Sequence, residues 1–205
     1  MIYDTQSLKN KYYKYSNINQ KIALETKNDK IIRVKRGLYS DDLQRDAPII
    51  ANVCNSPSYI SFEYALSYYG LIPEYVSVFT SAICGKKNNK KYQVSDICFQ
   101  YNNIPVEVFS KGITFFENEN KMRYKIAKRE KALCDLLYSM YPVRSIKDLK
   151  VMLFEDLRID YDELIKLDFN FINEIVPLYG SNTLHTFSKY INEELLKWNQ
   201  HWKKL

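Results

Sequence analysis

The chain has 205 residues, 46% apolar and 26% charged, with 18 Tyr and only five Gly; this is a folded globular protein, one large domain or a small module joined to a larger one, and not a disordered or glycine-rich chain. No apolar run reaches the roughly eighteen residues of a membrane span, and the first ten residues lack an apolar signal-peptide core, so a cytoplasmic protein with no membrane partner is expected. The net charge is +6, and residues 1–45 carry +5 of it, ten Lys/Arg against five Asp/Glu, which draws phosphate backbones or acidic surfaces to that segment.

Residues 5–15 predict a first helix, with Leu8, Tyr12 and Tyr15 at helical spacing. Ser16 and Asn17 are N-cap candidates for a second helix running from Ile18 to about Lys27, anchored by Ile18, Ile22 and Leu24 with Lys21 and Lys27 exposed. Asn28-Asp29 then turns the chain into residues 29–40, DKIIRVKRGLYS. Ile31, Ile32, Val34, Leu38 and Tyr39 favour extended chain there, Lys30, Arg33, Lys35 and Arg36 are interleaved, and Gly37 breaks the run. A helix followed by a basic hairpin is how a winged helix meets DNA, helix to bases and hairpin to phosphates. The first 40 residues are too few to bury much core and must lean on the rest of the chain.

Residues 41–46 read as a polar connector, and from Pro48 the pattern changes. Residues 49–53 read as helical, followed by the turn Asn55-Ser56-Pro57. Ser58 or Ser61 opens a helix, SFEYALSYYG, with Phe62, Ala65, Leu66 and Tyr69 on one face and Gly70 placed to end it. Residues 74–80, 92–101 and 105–109 read as strands, with a charged loop at 86–91 and a further strand at 121–127. Residues 129–140, REKALCDLLYSM, are a strong helix, and helices follow at 145–157, 160–167, 168–176 and 183–204. The expected fold class is α+β: an abbreviated N-terminal winged helix-turn-helix over residues 1–45, with two helices before the hairpin, then a mixed α/β core and a helical C-terminal third over residues 46–205.

The residue types that carry chemistry are sparse. Cys54, Cys84, Cys98 and Cys134 form no CxxC and read as reduced, buried thiols, and His185 and His201 lack a companion at metal-ligand spacing. No GxSxG, Walker-A or GxGxxG motif is present. Gly180-Ser181 is followed by no DxD or DxE pair, so nothing would hold the Mg²⁺ of nucleotidyl transfer. Glu130 and Asp135 stand five apart and do not share a helix face; ion pairs joining that helix to the core are the expectation. Tyr59, Phe62, Tyr64, Tyr68 and Tyr69 read as core and rim. The chain is therefore expected to be no enzyme and to need no cofactor or metal.

Three pieces in this order, KRGLYS (residues 35–40), PSYISFEYALSYYGLIPE (57–74) and IAKREKALCDLLY (126–138), resemble the AbiEi-type antitoxins of type IV toxin–antitoxin (abortive infection) systems. Ser61, Ala65, Leu66, Gly70, Leu71 and Ile72 match the family's middle motif. Ala127, Glu130, Lys131, Ala132, Leu133, Asp135, Leu136 and Leu137 match its last one, and the resemblance covers about residues 15–140. It implies a transcriptional autorepressor whose winged helix binds double-stranded operator DNA, encoded beside a nucleotidyltransferase-like toxin that it counteracts without a stable complex. It is compatible with a monomer in solution that binds DNA cooperatively. On this basis the DNA-binding candidates are Asn17, Asn19 and Gln20 at the start of the second helix, where amides can pair with adenine edges, and the cations Lys21, Lys27, Lys30, Arg33, Lys35 and Arg36. The alternative is a protein-interaction module that docks an acidic partner, or the toxin itself, without sequence-specific DNA binding.

Overall fold

The computed structural model describes residues 1–85 and 89–195; part of the 86–91 loop, the end of the last predicted helix and His201 lie outside these residues. The chain is α+β. Its first element has no signal in the local sequence pattern: a three-residue strand, β1 (Ile2–Asp4), precedes α1 (Thr5–Lys11). Asp4 caps α1 by accepting from the Ser7 amide at 2.7 Å. The helix stops at Lys11 and not at residue 15, because Asn17 takes an extended conformation (φ −127°, ψ 91°) to cap α2 (Ile18–Lys27) through the Gln20 amide at 3.0 Å. α2 has the predicted bounds. It buries Ile22 and Glu25, however, and leaves Leu24 on the surface.

The hairpin consists of β2 (Ile32–Lys35) and β3 (Leu38–Ser40), turning at Gly37, whose φ of +81° is the left-handed region that glycine enters without strain. β1 adds to it, giving an antiparallel sheet in the order β1-β3-β2. Apolar side chains pack on both faces of this sheet. Tyr3 and Tyr39 pack on a small cluster of Leu8, Tyr12, Ile22 and Ile31, while Ile2, Ile32, Val34 and Leu38 pack against the main core. The N-terminal unit does lean on the rest of the chain, as its size requires.

The expected polar connector is instead the start of α3 (Leu43–Cys54), which carries the chain unbroken across residues 45 and 46. Asp42 caps it by accepting from the Arg45 amide at 3.1 Å, and Pro48 sits inside it, forgoing one main-chain bond. After β4 (Tyr59–Ile60), α4 (Phe62–Tyr68) ends at Gly70 (φ +72°). There the Leu71 amide reaches the Leu66 carbonyl at 2.9 Å and the Gly70 amide reaches that of Ser67 at 3.0 Å, the Schellman pattern that the glycine permits.

Most of the strand expected at 74–80 is not one: residues 74–78 are irregular, and only Phe79 and Thr80 belong to β5 (Phe79–Ile83), whose bounds are set by its neighbours and not by local alternation. Residues 92–101 are not one strand but parts of a hairpin, β6 (Lys90–Val94) and β7 (Ile97–Asn103), turning at Ser95 with φ +51°. Residues 105–109 are not a strand either: Pro105, fixed at φ −57°, leads into a short helix, α5 (Val106–Phe109). Another unforeseen strand, β8 (Ile113–Glu117), pairs with β9 (Arg123–Ala127). The six strands form a mixed sheet in the order β6-β7-β5-β4-β9-β8, with β4 parallel to β9 and β5 parallel to β7.

Beside this sheet lies α6 (Arg129–Ser139), close to its predicted bounds, with seven consecutive buried residues from Lys131 to Leu137. The helical last third comprises α7 (Ile146–Lys150), continuing as π-helical turns over Val151–Asp156; α8 (Tyr161–Leu164); α9 (Phe169–Ile175), tightening to 3₁₀ geometry over Val176–Tyr179; and α10 (Asn182–Tyr190), continuing over Ile191–Leu195. The four cysteines are free, Cys54 and Cys134 being buried and Cys84 and Cys98 half-buried. No helix among the described residues is long and apolar enough to cross a membrane.

Candidate nucleic-acid interface

α2 and the hairpin bring the candidate residues to one end of the molecule in three groups. Asn19 and Lys27 from α2 and Arg33 from β2 line one groove, together with Thr5, Thr26 and Tyr39. Asn17, Gln20 and Lys21 line a second depression on the other flank of α2, with Tyr15, Ser16 and Leu24. Lys30 and Arg36 are exposed at the two ends of β2.

These side chains differ in how free they are. Asn17 is committed through its carbonyl oxygen to capping α2. Lys21 donates to Glu25 at 2.6 Å and lies 4.7 Å from the centre of the Tyr15 ring. That hydrogen bond holds the Lys21 ammonium above its ordinary range and the Glu25 carboxyl below its own. Lys35 is exposed but its ammonium is engaged. β2 and β3 are out of step between Arg33 and Lys35, an irregularity of the bulge kind. The Lys35 ammonium donates to the carbonyls of Val53 at 3.2 Å and Cys54 at 2.9 Å, at the C-terminus of α3, where a cation complements the helix dipole. Among the described residues no ion pair engages Lys27, Lys30, Arg33 or Arg36. Thr5 and Tyr39 escape a reading by spacing because Thr5 opens α1 directly after β1, and it is the pairing of β1 with β3 that brings it beside Tyr39.

The other charged constellation lies in the core. Lys131 and Asp135, one turn apart on α6, form an ion pair with no solvent exposure. Asp135 also accepts from Ser61 at 2.6 Å, Tyr179 at 2.6 Å and Tyr59 at 3.1 Å, and Lys131 donates to the Tyr179 hydroxyl at 2.8 Å. Burial drives the Lys131 pKa down against the pull of Asp135, and burial raises those of Tyr59 and Tyr179. The network ties α6 to the start of α4 and to the turn after α9. Glu130 is separate, accepting from the Asp168 amide at 3.1 Å. With all five side chains of the network buried, the arrangement fastens these elements together. Ser61, at the N-cap position of α4, gives its hydroxyl to Asp135 and not to its own helix.

The fold and the site thus describe an α+β protein with a basic N-terminal unit. No protein-family model and no curated protein matches the chain. Among solved structures it is similar to the one described as the crystal structure of JHP933 from Helicobacter pylori. The identity is 13% and the TM-score 0.35, over 78% of this chain and 94% of that one. A likeness at that level says nothing of what this chain does.

Proposed function

We propose that the chain is a non-enzymatic, cytoplasmic DNA-binding regulator whose N-terminal unit acts as an abbreviated winged helix, α2 facing base edges and the β2–β3 hairpin the phosphates. The observation that carries this reading is the groove in which Asn19, Lys27 and Arg33 converge, flanked by Lys30 and Arg36, with no acidic side chain among the described residues paired to any of these four cations. Asn19 is then the amide best placed for an adenine edge, Asn17 being held as a cap. The motif resemblance adds the biological setting: an autorepressing antitoxin that counteracts a nucleotidyltransferase-like toxin.

A gel shift on the gene's own upstream DNA at physiological salt tests the reading. Binding should prefer that DNA over a scrambled duplex, and Arg33→Ala with Arg36→Ala should weaken binding to both alike, because phosphate contacts carry no sequence information. Equal affinity of the unmodified protein for the two duplexes would sink the repressor claim. A second reading, docking of an acidic protein partner, is favoured by Tyr13, Tyr15 and Leu24, which are 69%, 50% and 49% exposed near the same cations. It requires a complex with the toxin that survives purification without DNA.

A further inference from the structure

The two edges of the six-stranded sheet are built differently. β6 opens with Lys90 and Lys91, the kind of charge that keeps a bare edge from pairing. β8 reads Ile-Thr-Phe-Phe-Glu, without proline or bulge and without charge before its last residue. Its ladder to β9 is bracketed by the bonds from the Lys128 amide to the Gly112 carbonyl (2.8 Å) and from the Asn118 amide to the Met122 carbonyl (3.0 Å). In an antiparallel pair both main-chain groups of a residue point to the same side, and the side alternates along the strand. Thr114 and Phe116 therefore bond to β9, while Ile113, Phe115 and Glu117 turn their N–H and C=O outward. No hydrogen bond reaches these outward groups among the described residues. The Phe115 side chain is 59% exposed. The ends of the strand also carry opposite charge, with Lys111 before it and Glu117 and Glu119 at and after its close; each has an exposed partner in its own chain, Glu174 at 4.0 Å, Arg123 at 3.2 Å and Arg45 at 3.8 Å respectively.

We propose that this edge pairs with the same edge of a second copy, antiparallel about a two-fold axis at Phe115. That centre is the register that uses all three outward residues of both strands: Phe115 exchanges bonds with its symmetry mate, and Ile113 with Glu117 of the other copy. The charges favour one orientation, because exposed pairs within the chain contribute little and can exchange for pairs between copies. Antiparallel pairing lays Lys111 of each copy at the acidic end of the other, whereas parallel pairing would set like ends together. The two Phe115 rings come side by side and leave water. The inference is independent of the DNA reading. It yields a small interface of the weak class, populated on the order of 10–100 µM protein.

The test is sedimentation velocity of the full chain without DNA across that range, with amide exchange on the same samples. A reversible dimer is expected. Phe115→Glu sets two carboxylates across the axis and should leave only monomer at every concentration where the unmodified chain dimerises. Lys111→Glu, at an exposed position whose loose pair with Glu174 contributes little to folding, should weaken the dimer, and adding Glu119→Lys should restore it. In the unmodified chain the amides of Ile113, Phe115 and Glu117 should gain protection with concentration, while those of Thr114 and Phe116 are protected throughout. A chain that stays monomeric, or a dimer that forms without protection of the three outward amides, overturns the proposal.

Discussion

At the scale of single residues, Lys131 and Asp135 decide how the core tolerates charge. Two ions removed from water are expensive unless each is paired and its remaining hydrogen-bonding capacity filled, and here three hydroxyls and one ammonium surround one carboxylate. Removing one partner strands the other. Lys131→Met or Asp135→Asn should each lower stability by about 3–5 kcal/mol in urea unfolding. Combining the two should cost clearly less than the sum, since neither charge is then left alone. Additive losses would show that the two side chains act independently and that the pair is not the unit holding α6 in place. The spacing of Lys131 and Asp135 four apart on a strong helix makes the pair visible in sequence. Its burial is not visible, because the hydroxyls that make burial tolerable come from Tyr59, Ser61 and Tyr179, far away along the chain.

At the scale of elements, the cations of α2 and the hairpin differ in what they touch. Lys27, Lys30, Arg33 and Arg36 remain unpaired among the described residues, while Lys35 is spent on the end of α3. If these four meet four phosphates, the affinity for DNA should fall with salt at a log–log slope near −3.6, and each Ala substitution should reduce the slope by about 0.9. Lys35→Ala should leave the slope unchanged and instead loosen the join of hairpin and α3, at a stability loss of about 0.3–1 kcal/mol. A slope change equal to that of Arg33→Ala would place Lys35 on the DNA. Alternation in DKIIRVKRGLYS puts Arg33 and Lys35 on one face and both are exposed, but only Lys35 reaches the carbonyls at the end of α3, which no local pattern foretells. The same distinction runs through the whole chain. α2, α6 and the stop at Gly70 are written in local capping and periodicity, so their sequence reading agrees closely with the structure. β1 and β8 are strands because distant partners pair with them, and the start of β5 is set by β4 and β7, information that no local window holds.

At the scale of the whole molecule, two apolar clusters of very different size share one chain. The larger one surrounds the six-stranded sheet and the C-terminal helices, while the smaller consists of Leu8, Tyr12, Ile22 and Ile31 under α1 and α2. The three-stranded sheet between them is fastened to the body by Lys35 and by the Ser40 hydroxyl bonded to buried Asp46 at 2.8 Å. Stability is seldom uniform in such an arrangement, and a small cluster opens before a large one. Ile22→Ala removes the central side chain of that cluster at a cost of about 2–5 kcal/mol, which is comparable to what so small a core supplies. Amide exchange should then become fast in α1 and α2 while β5, β7 and α6 keep their protection. DNA binding should be lost, and self-association through β8 should persist. Equal acceleration in both regions would mean that the chain opens as one cooperative unit, and that the basic end cannot be separated from the core that carries it.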